Sequence, residues 1–63
     1  MTQFYVQRAD EYQCRNAVMT QEPIIVTGIT FDGTVLVFSG VVQMAENSPA
    51  AFPDYPLRVT MED

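Results

Sequence analysis

Few residues in this chain could do covalent or acid–base chemistry. Cys14 is the one thiol, His and Lys are absent, and eight carboxylates face three arginines. A Ser–His or Cys–His nucleophile therefore has no imidazole to activate it. Arg15 follows Cys14 and would favour its thiolate. Nothing else around Cys14 marks a reactive thiol, so it reads as a small buried or half-buried side chain. Zinc sites are built largely from Cys and His, and no acidic spacing follows the alternation of a calcium loop. Gly28, Gly33 and Gly40 are dispersed with no Lys behind them, so no phosphate-cradling loop is expected. Paired carboxylates can serve as acid and base, but the acids here fall in expected turns, where they are solvated. The reading is a non-enzymatic chain with no metal and no cofactor.

What remains is charge. The formal net charge is -5. Arg8, Arg15 and Arg58 are too few and too scattered to neutralise a row of phosphates. Direct contact with nucleic acid or an anionic membrane is disfavoured, and a basic protein surface is favoured. The acids are expected in two groups. Glu22, Glu46 and Asp54 belong at one end of the sheet, and Asp32, Glu62 and Asp63 at the other. Phe52 and Tyr55 are candidate anchors for a partner, with packing on the sheet as their more ordinary role.

The elements that must position these groups are mostly strands. Residues 24–31 and 34–43 are rich in β-branched and aromatic side chains, which suit a pleated surface. Asp32-Gly33 between them predicts a two-residue type I′ hairpin. That turn pairs Ile29 with Leu36 and Thr27 with Phe38. It places Ile25, Thr27, Ile29, Phe31, Thr34, Leu36 and Phe38 on one face, the expected core. Ile24, Val26, Gly28, Thr30, Val35, Val37, Ser39 and Val41 then form the back. Glycine inside a strand signals a bulge or a close backbone approach, which is the expectation for Gly28 and Gly40.

Shorter strands are expected at Phe4–Gln7 and Leu57–Met61. Residues 9–20 are ambiguous. Tyr12, Cys14, Asn16 and Val18 alternate as in a strand, whereas Asp10 followed by residues 11–17 suits a short helix. The strand is the preferred reading, since apolar positions at i+3 and i+4 are sparse. Glu46 to Pro56 is a loop with three prolines. Ser48 to Phe52 fits one helical turn that Pro53 stops.

The fold expected is one small domain spanning residues 1–63. It is mainly β, an antiparallel sheet of four or five strands with at most one or two helical turns. An α+β arrangement with a helix near residues 10–19 is the alternative. With one Cys, no internal disulfide can staple it. At this length packing alone gives marginal stability, so tight packing or self-association must supply the rest. The absence of a basic, apolar leader and of paired cysteines points to a reducing cytoplasm.

Two functions follow from these properties. Acidic edges attract a basic surface over long range, and aromatic anchors then prolong contact. If that surface normally holds nucleic acid, the chain acts as a decoy whose carboxylates stand in for phosphates. In size and charge alone the chain resembles the small inhibitors that phages encode, anti-CRISPR proteins among them, which implies action in a host cytoplasm. The alternative is a self-associating β module or assembly subunit. Its warrant is the apolar back of the hairpin, at Val26, Val35, Val37 and Val41, since a sheet face exposed to water is normally polar.

Overall fold

The structure is a computed structural model that describes residues 2–48 and 52–62. Element order is β1 (Thr2–Val6), a 3-10 turn (Arg8–Asp10), α1 (Glu11–Thr20), β2 (Pro23–Ile29), β3 (Val35–Asn47) and β4 (Leu57–Met61). The fold is mainly β, as expected. Four antiparallel strands close on one another in the order β1-β2-β3-β4, and one helix packs against them.

β2 and β3 form the central hairpin, but not in the expected register. Ile29 pairs with Val35, Gly28 with Leu36 and Val26 with Phe38. The connection has three residues, not two. Thr30 N–H donates to the Thr34 carbonyl at 2.9 Å, and Gly33 N–H donates to the Thr30 carbonyl at 2.9 Å. Gly33 has φ of 90°. This is a type I turn closed by a left-handed glycine, the common three-residue hairpin. Asp32-Gly33 suits either turn, and the difference is one residue of register. Side chains alternate with period two, so a one-residue slip moves a whole strand's set to the other face. Val26 accordingly points into the core and is 4 % exposed, while Ile25 points out and is 72 % exposed. Of the expected core face, Ile25 and Thr27 turn outward to solvent, Ile29 is buried at 6 % exposure, Phe38 packs against the core and Leu36 is 46 % exposed.

β3 has thirteen residues and serves two partners in turn. Its first half pairs with β2 through Val41, and its second half pairs with β4 from Val42 to Asn47. A bulge between Val42 and Met44 marks the change; bulges bend and twist a strand, which is what closing so small a sheet requires. β4 lies beside residues 42–47, which puts Met61 against Val42 and brings Glu62 N–H to the Val41 carbonyl at 3.2 Å. The end of β4 thus meets the middle of β3, well short of the hairpin tip.

Residues 11–20 are a helix, contrary to the preferred strand reading. Arg8 to Ala17 contains no Val, Ile or Thr, so nothing in this stretch resists the helical backbone. The stripe is narrow but sufficient. Cys14 and Ala17 are buried and Val18 packs beside them, while Tyr12 and Asn16 are exposed. Asp10 occupies the N-terminal cap position without a side-chain capping bond. At the other end Gln21 takes a left-handed φ of 57° and its N–H donates to the Ala17 carbonyl at 2.8 Å, an αL ending.

The core lies between the helix and the concave side of the sheet. Phe4 and Val6 from β1, Val26 from β2, Val42 from β3 and Leu57, Val59 and Met61 from β4 meet Cys14 and Ala17. Gly28 sits where a side chain has no room. A Cβ there would lie 2.6 Å from the Tyr5 carbonyl oxygen and 2.7 Å from Phe4 Cδ2. The close approach expected of that glycine is therefore present. The helical turn expected at Ser48 to Phe52 falls largely on residues 49–51, outside the described residues. No helix among the described residues is long and apolar enough to cross a membrane.

Candidate protein-contact surface

The turn chemistry at residues 30–34 builds an exposed arm. Asp32 Oδ1 accepts from the Thr34 N–H at 3.2 Å and from the Thr30 hydroxyl. These bonds hold the Asp32 carboxyl below its usual range, chiefly through Thr30 and then Thr34. A charged carboxylate thus ties the tip together. Every residue from Phe31 to Val37 is exposed. Phe31 is 75 % exposed, Val35 63 % and Val37 68 %. By register, Ile25, Thr27, Val35, Val37 and Ser39 share the outer face. That face carries no charge, since residues 34–45 contain neither acid nor base.

The four valines expected to form a self-association face are separated by the fold. Val35 and Val37 lie outside, Val41 is half-buried, and Val26 is in the core. Ile25 takes the place of Val26 in the exposed strip. The same one-residue register difference explains both changes. The signal available in the sequence was the run Thr30-Phe31-Asp32-Gly33-Thr34, whose two threonines can flank a three-residue loop as readily as Phe31 and Thr34 flank a two-residue one.

Of the two expected acidic groups, register separates Asp32 from Glu62, and Glu46 is taken up by an arginine. Glu46 faces Arg58 across the β3–β4 ladder, with Oε1 at 2.7 Å from Nη2 and 3.2 Å from Nε. Glu46 is the first cause that holds the Arg58 guanidinium firmly charged. Its own charge is correspondingly compensated. Glu22 is exposed in the connection between α1 and β2, and Asp54 is exposed in the turn that Tyr55 N–H closes on the Phe52 carbonyl. Asp32 stands at the hairpin tip, whereas Glu62 follows β4 and accepts from Gln43 Nε2 at 3.2 Å. The register keeps Asp32 and Glu62 at opposite ends of the first half of β3. Asp63 lies outside the described residues.

Phe52 packs rather than projects. Its ring is 4.6 Å from Tyr5 and 5.9 Å from Phe31, centroid to centroid. It covers the outer side of β1 and supports the base of the arm. Tyr55 is half-buried, and its carbonyl accepts from the Ser48 hydroxyl. Phe52 thus packs on the sheet, and Tyr55 is tied into the loop through its backbone.

Cys14 is fully buried, and burial, with a smaller contribution from Asp10, pushes its thiol up to about 11. The adjacent Arg15 turns away to Glu11 at 3.2 Å and Asn47 at 3.0 Å. An open groove of about 650 Å³ runs beside the arm, lined by Gln13, Pro23, Ile24, Ile25, Ser39 and Gly40. Its polar side chains are an amide and a hydroxyl. Among the described residues, no three His, Cys, Asp or Glu side chains converge as a metal site. Comparison with protein-family models, with curated proteins and with solved structures finds no match for this chain.

Proposed function

We propose that this protein is a non-enzymatic binding module that docks on a basic protein surface through the exposed arm of the β2–β3 hairpin. The observation that carries this reading is the outward strip of Ile25, Val35 and Val37, 72 %, 63 % and 68 % exposed. Contiguous apolar surface of this kind marks interaction sites. Fully burying one such side chain is worth about 1.5–3 kcal/mol. Three of them supply several kcal/mol, comparable with the lower end of the roughly 4–15 kcal/mol cost of association. The strip alone makes a weak complex, and the rim must add to it.

The sign of the rim supports a basic partner. Arg15 and Arg58 are held by Glu11 and Glu46. Asp10, Glu22, Asp32, Asp54 and Glu62 make no ion pair among the described residues. A net charge of -5 steers a cationic surface toward the chain and speeds encounter. Their spread suits steering better than imitation of a phosphate row. Where the partner surface handles nucleic acid, occupation by this chain inhibits it by competition.

A second reading rests on the uncharged character of residues 34–45. Two copies of such a stretch meet without repulsion along the strip itself, which suits a self-associating β module. Capture from cell lysate with tagged wild type and tagged Ile25→Asp, washed at low and high salt, tests both. The expected result is a basic partner retained by wild type, released by salt and lost at least tenfold with Ile25→Asp. Recovery of only untagged copies of the chain supports the second reading. Capture indifferent to Ile25→Asp and to salt overturns the proposal.

A further inference from the structure

The arm has a free edge as well as a free face. β3 pairs with β4 only from Val42 onward, so Val35 to Ser39 have no strand on that side among the described residues. The direction of their backbone groups follows from the ladder. Thr30 and Thr34 are a hydrogen-bonded pair, and such pairs alternate along an antiparallel hairpin. Leu36 and Phe38 therefore turn their N–H and C=O groups toward β2. Val35, Val37 and Ser39 turn theirs away from it. Val41 confirms the direction, because its carbonyl accepts from Glu62 on that same side. An unpaired row of this kind is a template for another strand.

We infer that this edge receives an extended segment of the basic partner as an added strand along Val35–Ser39, with cationic residues at its two ends meeting Asp32 and Glu62. The inference rests on the protein-binding reading above and names the form that the partner takes. Strand addition draws affinity from main-chain hydrogen bonds and specificity from alternate side chains. Here the added strand lies with one set of side chains beside Val35 and Val37 and the other set beside Leu36. Val35 to Ser39 span about 13 Å, close to an ordinary strand. Asp32 ends the edge at the hairpin tip, and Glu62, just past the end of β4, ends it at Val41.

Those two carboxylates decide between partners. A second copy added antiparallel about Val37 sets residue 33 of one chain opposite residue 41 of the other. Each Asp32 then arrives beside the other copy's Glu62, and the two-fold axis repeats this like-charge contact. Like charges placed directly opposite destabilise a ladder. A segment with Lys or Arg about six to eight positions apart converts both contacts to attraction, at a spacing set by the strand rise.

The test uses the full chain and a synthetic peptide of alternating Val and Thr with Lys at both ends. A second peptide carries Glu at both ends. Amide hydrogen exchange is followed by NMR at low chain concentration. The expected result is at least tenfold slower exchange at Val35, Val37 and Ser39 with the Lys peptide, weaker protection with the Glu peptide, and little change at solvent-facing amides elsewhere. Asp32→Asn with Glu62→Gln should reduce Lys-peptide binding about tenfold. Val37→Pro should abolish it, because its N–H faces the free edge and the β2 ladder does not use it; Val37→Lys serves as the second variant if the proline disturbs folding.

No added protection at Val35, Val37 and Ser39 in saturating Lys peptide overturns the inference. Protection that grows with chain concentration in the absence of peptide overturns it in favour of a second copy. Should Ile25→Asp abolish capture from lysate while the edge amides stay unprotected, the partner sits on the face. The edge inference then falls and the broader binding reading stands.

Discussion

The ring of Phe4 lies flat on the ring of Phe38, with centroids 3.8 Å apart and planes 7° from parallel. β1 and β3 are not neighbours in the sheet, so this stack crosses the interior and ties two walls together. Replacing Phe4, which is fully buried, by Ala should cost about 3–5 kcal/mol, the usual range for a large core aromatic. In a domain of this size that approaches the whole stability. Urea denaturation followed by tyrosine fluorescence should show Phe4→Ala largely unfolded in buffer. Phe38→Leu should remain folded with a lower midpoint. A Phe4→Ala chain as stable as wild type would mean that the stack does not hold the walls.

Gly28 should be intolerant for a different reason. The obstacles to a Cβ there are a backbone oxygen at 2.6 Å and the Phe4 ring at 2.7 Å, so Gly28→Ala must displace the stack or part β1 from β2. Overpacking of this kind costs typically about 1–3 kcal/mol. Gly33→Ala meets nothing within 4 Å, and its penalty comes only from φ of 90°, about 1–2 kcal/mol for a left-handed residue. The two variants separate by readout. Gly28→Ala should shift the ring resonances of Phe4 and Phe38, while Gly33→Ala should disturb only the hairpin tip.

The strands were legible in the sequence because β-branched runs and Asp-Gly are strong local signals. Register was not legible, because Thr30-Phe31-Asp32-Gly33-Thr34 closes equally well over two residues or three. That single ambiguity moved Ile25 out and Val26 in, and with them half of the candidate contact strip. The helix was obscured because only Cys14, Ala17 and Val18 carry its buried stripe. Their smallness matters in space, where α1 must lie close to β3, and leaves little trace in a hydropathy pattern. The acidic residues were read as groups because turns collect at sheet ends. The bulge in β3 defeated this. It hands β3 from β2 to β4 halfway along, so Glu46 meets Arg58 and Glu62 stops beside Val41.

Cys14 predicts an alkaline weakness. Its thiol stands at about 11 in the fold, against 9.0 for an ordinary cysteine. A raised pKa means that the fold holds the proton more tightly than the unfolded chain does. The associated stability is complete below pH 9.0 and drains away as pH rises toward about 11. Cys14→Ala should lose this dependence, so the gap between the two stability profiles should narrow across that window. Iodoacetamide should modify native Cys14 slowly at pH 8 and rapidly in urea, in step with unfolding. Fast modification of the native chain would show that the thiol is reachable and that burial is not what raises it.

Asp32 predicts the opposite sign at acid pH and a local effect. Its carboxyl is lowered by the Thr30 hydroxyl first and by Thr34 second, so the ionised form is the one that ties the turn. The support is present above the ordinary carboxylate pKa and is lost as pH falls through the lowered value. Because the tip is exposed, the consequence should be loosening of the arm rather than unfolding of the domain. The Thr34 amide, which donates to Asp32 Oδ1, should lose protection relative to its intrinsic exchange rate below that pH, and in Asp32→Ala at neutral pH. The core amides of β1 and β4 should be unaffected in both. Asp32→Asn retains an acceptor without the charge, as the protonated carboxyl does, so at neutral pH its Thr34 protection should fall to that of the acid form, short of the loss in Asp32→Ala, and should not change further as pH falls. This pairing separates geometry from charge. If Asp32→Asn loosens the arm as much as Asp32→Ala, the charge itself holds the tip, and any partner that neutralises Asp32 would loosen the surface it binds.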